Sequence, residues 1–319
     1  MRIVFWGNGN RGTSCLQALK NKGHHIEMVV AHPDQGKQWY GSVAQMASDY
    51  EIPVIKPEDP NSLDTEKFLS KLDPDIFVLA GYGKIIKSNI IDIPKIMCIN
   101  LHGGKLPKYR GSSPLNWALI NGEESFTLSV IRVDSGVDTG DILLERSFEI
   151  MNNDNIVKLH DTANEQFPNM LLETLSAIEY GTVRTVKQDR VEGSYYPLRF
   201  PDDGLILWDI YTAEQIHNRI RALTEPYPCA FTYYGGDKVR LVESEMYEMD
   251  FYGEPGRVYQ TTDRGLLICA LDRCLWIKRA IIEKSQQSLA EAIQRYDCLA
   301  TVRRTVKNII ESGGISHES

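Results

Sequence analysis

The chain has 319 residues, 42% of them hydrophobic, enough for two domains and a sizeable core, with no internal repeat or low-complexity tract. Its formal net charge of −8 argues against an extended nucleic-acid-binding surface, although it leaves room for a local basic patch. The six cysteines (Cys15, Cys98, Cys229, Cys269, Cys274 and Cys298) show neither a CxxC pair nor a metal-ligand spacing, so reduced thiols in a cytoplasmic protein are expected.

Residues 2–6 (RIVFW) read as a short apolar strand at the very start, so no signal peptide is expected, and no apolar run is long enough to span a bilayer. The turn GNGNRG leads into a helix ending near Asn21, with Cys15, Leu16 and Leu19 on its buried stripe. A second strand covers 25–31, a loop 32–41, a helix 42–50 and a third short strand 52–55. A helix near 61–71 carries Leu63, Phe68 and Leu72, and Asp75 to Ala80 is an apolar strand ended by GYGK. Further strands are expected at 96–101, 127–133 and 142–150. This alternation predicts an α/β, Rossmann-like, mostly parallel sheet with helices on both faces.

Residues 154–180 predict a long helix, with Ile156, Leu159, Ala163, Phe167, Met170, Leu171, Leu175 and Ile178 at helical spacing. Beyond it, 181–210 reads as short strands and turns, and 212–224 as a helix. The alternating runs after Pro228, joined by GG and DRG turns, predict a small antiparallel, OB-like barrel. One or two helices over 286–311 are expected to close it, and the GGISHES tail to be disordered. The expected division is 1–203 as a catalytic domain and 204–319 as the barrel-like domain with its terminal helices.

The chemistry concentrates in two stretches. In IMCINLHGGKLPKYRGSSPLNW (96–117), Asn100 and His102 lie two apart at a strand's C-terminal end, so both side chains fall on one face. Ligands of open α/β sheets bind at such ends. VDSGVDTGD (133–141) then supplies three carboxylates among glycines and hydroxyls. The ordered set N-x-H, L-P-x-x-R-G and D-x-G-x-D-T-G-D resembles the N-formyltransferases that use 10-formyltetrahydrofolate.

That resemblance implies a catalytic trio of Asn100, His102 and Asp138. A neutral amine would attack the formyl carbon, Asn100 would donate to the developing oxyanion, His102 would accept the amine proton, and Asp138 would orient the imidazole and stabilise its cation. The resemblance also implies a pterin pocket made by Tyr82, Gly83, Lys84, Ile85 and Ile86 together with Val133, Asp134, Gly136 and Val137, and no metal. Asp134 and Asp141 suit either loop architecture or cofactor contacts.

The main competitor is Gly7-Asn8-Gly9-Asn10-Arg11-Gly12, which matches the dinucleotide fingerprint G-x-G-x-x-G. That fingerprint also needs an acidic residue closing the second strand, where Ala31, His32 and Pro33 stand and Asp34 arrives only in the loop. The loop is therefore read as a seat for a substrate diphosphate through Asn8, Asn10 and Arg11. Lys105, Lys108 and Arg110 suit an anionic partner, while His24, His25, His32, His160 and His317 are expected at the surface. The Trp39-Tyr40 pair suits either packing or a stacking surface beside the cleft.

For the acceptor, Tyr40-Gly41-Ser42-Val43-Ala44, Pro114-Leu115-Asn116-Trp117, Arg199 with Pro201-Asp202-Asp203-Gly204, and His217-Asn218 are similar to the formyltransferase half of the bifunctional enzyme that modifies UDP-4-amino-4-deoxy-L-arabinose. The chain lacks that enzyme's NAD-dependent domain, and so is similar to the stand-alone sugar-nucleotide N-formyltransferases of lipopolysaccharide and other surface-glycan biosynthesis. The resemblance implies a nucleotide-linked amino sugar as partner, a UDP-4-amino sugar first, with Lys105 and Arg199 added to its contacts, and neither nucleic acid nor membrane. The nucleotide, the sugar, the amine position and homodimer formation stay open. The alternative is methionyl-tRNA formyltransferase, whose family carries a Lys/Arg-rich insertion after the second strand. Here loop 32–41 holds only Lys37.

Overall fold

The protein is described by a computed structural model covering residues 1–33, 41–189 and 192–311. The readings of Asp34, of Lys37 and most of the 32–41 loop, of the Trp39-Tyr40 pair, and of the 313–319 tail with His317 lie outside these residues. Two compact units are present. One comprises Met1–Pro114, Ser125–Glu149 and Leu159–Leu198; the other comprises Leu115–Glu124, Ile150–Lys158 and the chain from Arg199 onward.

The first half of the chain runs β1 (Arg2–Gly7), α1 (Gly9–Asn21), β2 (His25–Ala31), α2 (Val43–Asp49), β3 (Val54–Ile55), α3 (Leu63–Lys71), β4 (Ile76–Ala80), α4 (Ser88–Ile91) and β5 (Met97–His102). It continues with β6 (Arg110–Gly111), α5 (Pro114–Ile120), β7 (Ser125–Arg132), β8 (Ile142–Glu149), α6 (Ile156–Glu179) and β9 (Tyr195–Tyr196). The main sheet has the order β3-β2-β1-β4-β5-β7-β8. The first five of these strands pair in parallel, and β7 and β8 are added antiparallel.

The sheet is covered on both faces because its central strands are apolar at every position. Ile3 to Trp6 and all of β4 are buried, so successive side chains enter opposite cores. Val4, Trp6, Met28, Val30, Phe77 and Leu79 share one core with Leu69, Ile90 and Ile91. Truncating a ring such as Phe77 to Ala there costs about 3–5 kcal/mol. At the edge, β8 alternates between partly buried and exposed positions, as a one-sided strand should.

Local chemistry sets the helix starts. The Ser42 and Ser62 hydroxyls cap α2 and α3 by accepting from the backbone N–H of Gln45 and Thr65. In α3, Thr65 and Leu69 face the core, whereas Leu63 and Phe68 are exposed. In α6 the predicted apolar stripe from Ile156 to Ile178 is buried at each named position.

The second unit contains α7 (Ala213–Leu223), β10 (Ala230–Tyr234), β11 (Asp237–Met246), β12 (Val258–Thr262), β13 (Gly265–Cys269), β14 (Cys274–Ile282), α8 (Leu289–Ala292) and α9 (Val302–Glu311). Its antiparallel sheet has the order β10-β11-β14-β13-β12. Gly235 and Gly236, both at positive φ, make the tight β10–β11 turn that the GG pair predicts. A Thr212–Gln215 capping box starts α7. Of the two terminal helices, α8 buries Leu289 but α9 buries nothing, so α9 does not close the sheet as expected. Cys269 and Cys274 face each other in the β13–β14 register, both buried. Among the described residues, no helix is long and apolar enough to cross a membrane.

Candidate active site

Strands β4 and β5 end side by side, and a cavity of about 500 Å³ opens beyond them. All the residues expected to hold the pterin line it: Tyr82, Gly83, Lys84, Ile85, Ile86, Val133, Asp134, Gly136 and Val137. Asn100, His102 and Asp138 line it too.

The trio converges at hydrogen-bonding range. His102 is 5% exposed, with Nδ1 3.5 Å from Asp138 Oδ2. Asn100 Nδ2 donates to Asp138 Oδ1 at 3.4 Å, and the Gly111 backbone N–H donates to Oδ2 at 3.0 Å. His102 Nε2 lies 2.6 Å from the Tyr109 carbonyl. A carbonyl only accepts, so Nε2 carries the hydrogen and the lone pair of the neutral ring sits on Nδ1. The atom able to take a proton therefore faces Asp138. Gly104 makes room for this contact, since a Cβ there would lie 2.6 Å from the Tyr109 oxygen and 2.7 Å from His102 Nε2. Asp138 holds φ at 53°, in the left-handed region, a conformation Asp tolerates at a cost of about 1–2 kcal/mol.

Several groups also tie the cavity walls together. Asp134 Oδ1 accepts from the Gly136 N–H and the Thr139 hydroxyl and so closes its own turn. Lys84 Nζ donates to the carbonyls of Pro57 and Glu58. Asn61 donates to the Ile85 carbonyl and accepts from the Lys87 N–H, clamping the same segment. His32, expected at the surface, is half-buried: it stacks on Tyr82 at 4.4 Å and 14°, and Nε2 accepts the Gly83 N–H at 3.1 Å. Burial, reinforced by the Lys84 charge, pushes the His32 pKa down, and burial raises the Tyr82 phenol to about 12. His160 also departs from the surface reading, its pKa lowered to about 4 by burial and by the Arg11 charge.

The residues expected to hold the acceptor are scattered. Arg11 lines the cavity and sits 4.9 Å over the Phe167 ring. Asn8 donates through its backbone to the Ala80 carbonyl, and Asn10 Oδ1 accepts from Gly41 N–H; neither side chain lines the cavity. Lys105 is exposed and outside the lining. Arg199 belongs to the second unit, where it lies 4.9 Å over Trp117 and donates to the Asp203 carbonyl. Arg110, expected as a free cation for an anionic partner, is 2% exposed and donates to Gln188 and to the Asp189 carbonyl. Gln188 escaped the sequence reading because it lies in an irregular stretch with no spacing signal. Among the described residues, no group of three or more His, Cys, Asp or Glu could hold a metal ion.

With this geometry in hand, the comparisons are specific. The formyl transferase family model matches residues 1–175, and the formyl transferase C-terminal domain model matches 200–296. The chain belongs to the formyltransferase family. It is 33% identical over 294 residues to a methionyl-tRNA formyltransferase of Ruminiclostridium cellulolyticum, covering 90% of this chain and 94% of that protein. It is 34% identical over 298 residues to one of Acetivibrio thermocellus, covering 91% and 95%. A solved N-formyltransferase of Helicobacter canadensis, in complex with folinic acid and dTDP-3-aminofucose, shares the fold with a TM-score of 0.67 at 19% identity, covering 86% of this chain and 97% of that one.

These relatives overturn the amino-sugar reading, and with it the glycan-biosynthesis role and the exclusion of nucleic acid. The physical reason lies in the stretches that suggested it. Trp117 and Arg199 stack on each other and Arg199 also holds Asp203, so these residues have a packing role that needs no amino-sugar acceptor. The net charge is a whole-chain sum and does not describe any local surface.

Proposed function

We propose that the chain transfers the formyl group of 10-formyltetrahydrofolate to the amine of methionyl-tRNA, with residues 1–203 as the catalytic part. The observation that carries the chemistry is the meeting of Asn100, His102 and Asp138 at the end of β5. The lining suits a flat ring that bears amide-like edges. Tyr82, Ile86 and Val133 are apolar, and the Gly83–Ile85 and Asp134–Gly136 segments offer backbone groups. The folate donor supplies an activated formyl group.

The chain's own residues then act on the attack by the amine. His102 Nδ1 takes the amine proton, and Asp138 Oδ2 faces the imidazolium that results; as the tetrahedral intermediate collapses, the bond from the formyl carbon to N10 breaks and the imidazolium returns the proton to that nitrogen, releasing tetrahydrofolate. Asn100 has two amide hydrogens; one reaches Asp138, and the other is available to the formyl oxygen as it gains charge. A donor of this kind contributes about 2.7–4 kcal/mol to the transition state. The acceptor carries phosphates, which the exposed Lys105 and Lys108 on the loop after β5 would meet, with Arg11 in the cavity wall.

The test is transfer of labelled formyl from limiting 10-formyltetrahydrofolate to methionyl-tRNA at two salt concentrations. Label is expected on methionyl-tRNA, with the KM for tRNA rising as salt increases. Methionyl-tRNA left unlabelled, while the folate is consumed on another amine, would sink the proposal.

A further inference from the structure

We infer that Gln188 is a positioning residue for Asp138, acting through the backbone of the loop that carries it. This rests on the reading of Asp138 as the carboxylate that serves His102. The Gln188 amide is used at both ends. Nε2 donates to the Asp138 carbonyl at 2.9 Å and to the Gly140 carbonyl at 2.6 Å. Oε1 accepts from Arg110 Nε at 3.1 Å and from Nη2 at 2.8 Å. Both amide hydrogens and both oxygen lone pairs are thus engaged, which fixes the orientation of the amide.

The contacts form a closed circuit. Arg110 is 2% exposed, pairs through β6 with Tyr195 of β9, and places its guanidinium 5.6 Å over the Tyr195 ring. The next residue, Gly111, donates its N–H to Asp138 Oδ2. From the Asp138 carbonyl the path runs through Gln188 to Arg110, along one peptide to Gly111, and back to the Asp138 carboxylate. The two loops that flank His102 are joined by this circuit, one supplying Asp138 and the other the Tyr109 carbonyl that holds Nε2. Asp138 also sits at φ 53°, a backbone conformation that needs outside support, and its own carbonyl is one of those Gln188 holds.

A residue that merely knits the loop to the body and one that sets the carboxylate give different results in Gln188→Glu. The substitution is isosteric and keeps an acceptor for Arg110, so the fold retains that tie with a charge added. It loses both donors and turns a carboxylate toward two carbonyl oxygens. We expect Tm within about 3 °C of wild type. We expect kcat lower by about 10–100-fold, the scale of a small misplacement at a reacting centre, with each KM changed by less than about threefold. The Gly111 amide, followed by hydrogen exchange, should exchange at least about tenfold faster as Asp138 Oδ2 leaves it. Gln188→Met, uncharged and of similar length, should reproduce both effects. A kcat within twofold of wild type in both variants, or a Gly111 amide exchanging as in wild type, would overturn the inference. A wild-type protein that transfers no formyl group from the folate donor would instead overturn the proposed function, and the Gly111 amide would still decide whether Gln188 sets Asp138.

Discussion

Asp138 Oδ2 lies 3.5 Å from His102 Nδ1, the ring nitrogen left without a hydrogen because Nε2 donates to the Tyr109 carbonyl. In the neutral site this pairing gains little, since lone pair faces carboxylate. Once Nδ1 accepts a proton it becomes an ion pair in a mostly buried setting. In the proposed reaction the interaction would therefore be stronger in the transition state than before it, the condition for accelerating the chemical step.

Asp138→Asn is expected to lower kcat by about 10²–10⁴-fold, because an amide at 138 can donate to Nδ1 and occupy the base. Folate affinity should stay within a few-fold, as most of the lining comes from Tyr82–Ile86 and Val133–Val137. His102→Asn should remove nearly all turnover. Steady-state kinetics beside equilibrium binding of tetrahydrofolate checks both, and near-wild-type turnover in either variant contradicts the assignment.

Asn100→Ala is expected to reduce kcat by about 10²–10³-fold, the usual loss for one donor to a developing oxyanion. The effect belongs in kcat and kcat/KM equally. A rise confined to KM would show that Asn100 binds substrate without contributing to the step.

Much of this site was legible in advance. Asn100 and His102 could be placed on one face because a strand has period two, and β5 is the apolar run that ends at them. The D-x-G-x-D-T-G-D stretch located Asp138 by resemblance. Gln188 and His32 were not legible, because several of their partners are backbone groups, the carbonyls of Asp138 and Gly140 and the N–H of Gly83, and the others, Arg110 and Tyr82, lie far off in sequence. Backbone groups leave no residue-type signature. Arg110 was misread for a related reason. A cation in a Gly- and Lys-rich loop looks exposed until the acceptor that buries it, 78 positions away, is known. The acceptor was misread because stretches shared for packing, such as Trp117 and Arg199, were taken for stretches shared for substrate.

His32→Phe should raise the KM for the folate donor by about 3–10-fold and leave kcat within twofold. The phenyl ring keeps the stack on Tyr82 but cannot accept the Gly83 N–H, and one lost hydrogen bond of about 0.5–1.5 kcal/mol sets the size. His32→Gln, which restores an acceptor, should recover part of the loss. The bond needs unprotonated Nε2, and the His32 pKa is lowered, so it is present above the ordinary histidine pKa and lost as pH falls through the lowered value. An unchanged folate KM in His32→Phe would mean that Asn61 and Lys84 hold the wall alone.

The last prediction concerns stability. His160 on α6 has its pKa lowered to about 4, first by burial and then by the Arg11 charge. In the unfolded chain a histidine titrates near 6.5. Between those values the unfolded state holds a proton that the folded state does not, so protonation favours unfolding. The contribution of His160 is fully present above about pH 6.5 and is lost as pH falls toward about 4, at a slope approaching 1.4 kcal/mol per pH unit. Other carboxylates and His32 add their own slopes, so the measurement must be a difference. Urea unfolding of wild type and His160→Gln at pH 7.5, 6.5, 5.5 and 4.5 isolates it, since the substitution removes the titrating group and leaves the rest in place. The gap in unfolding free energy should favour wild type most at pH 7.5 and shrink or reverse toward pH 4.5. Two stability curves that stay parallel across this range would show that the folded and unfolded chains bind the His160 proton equally.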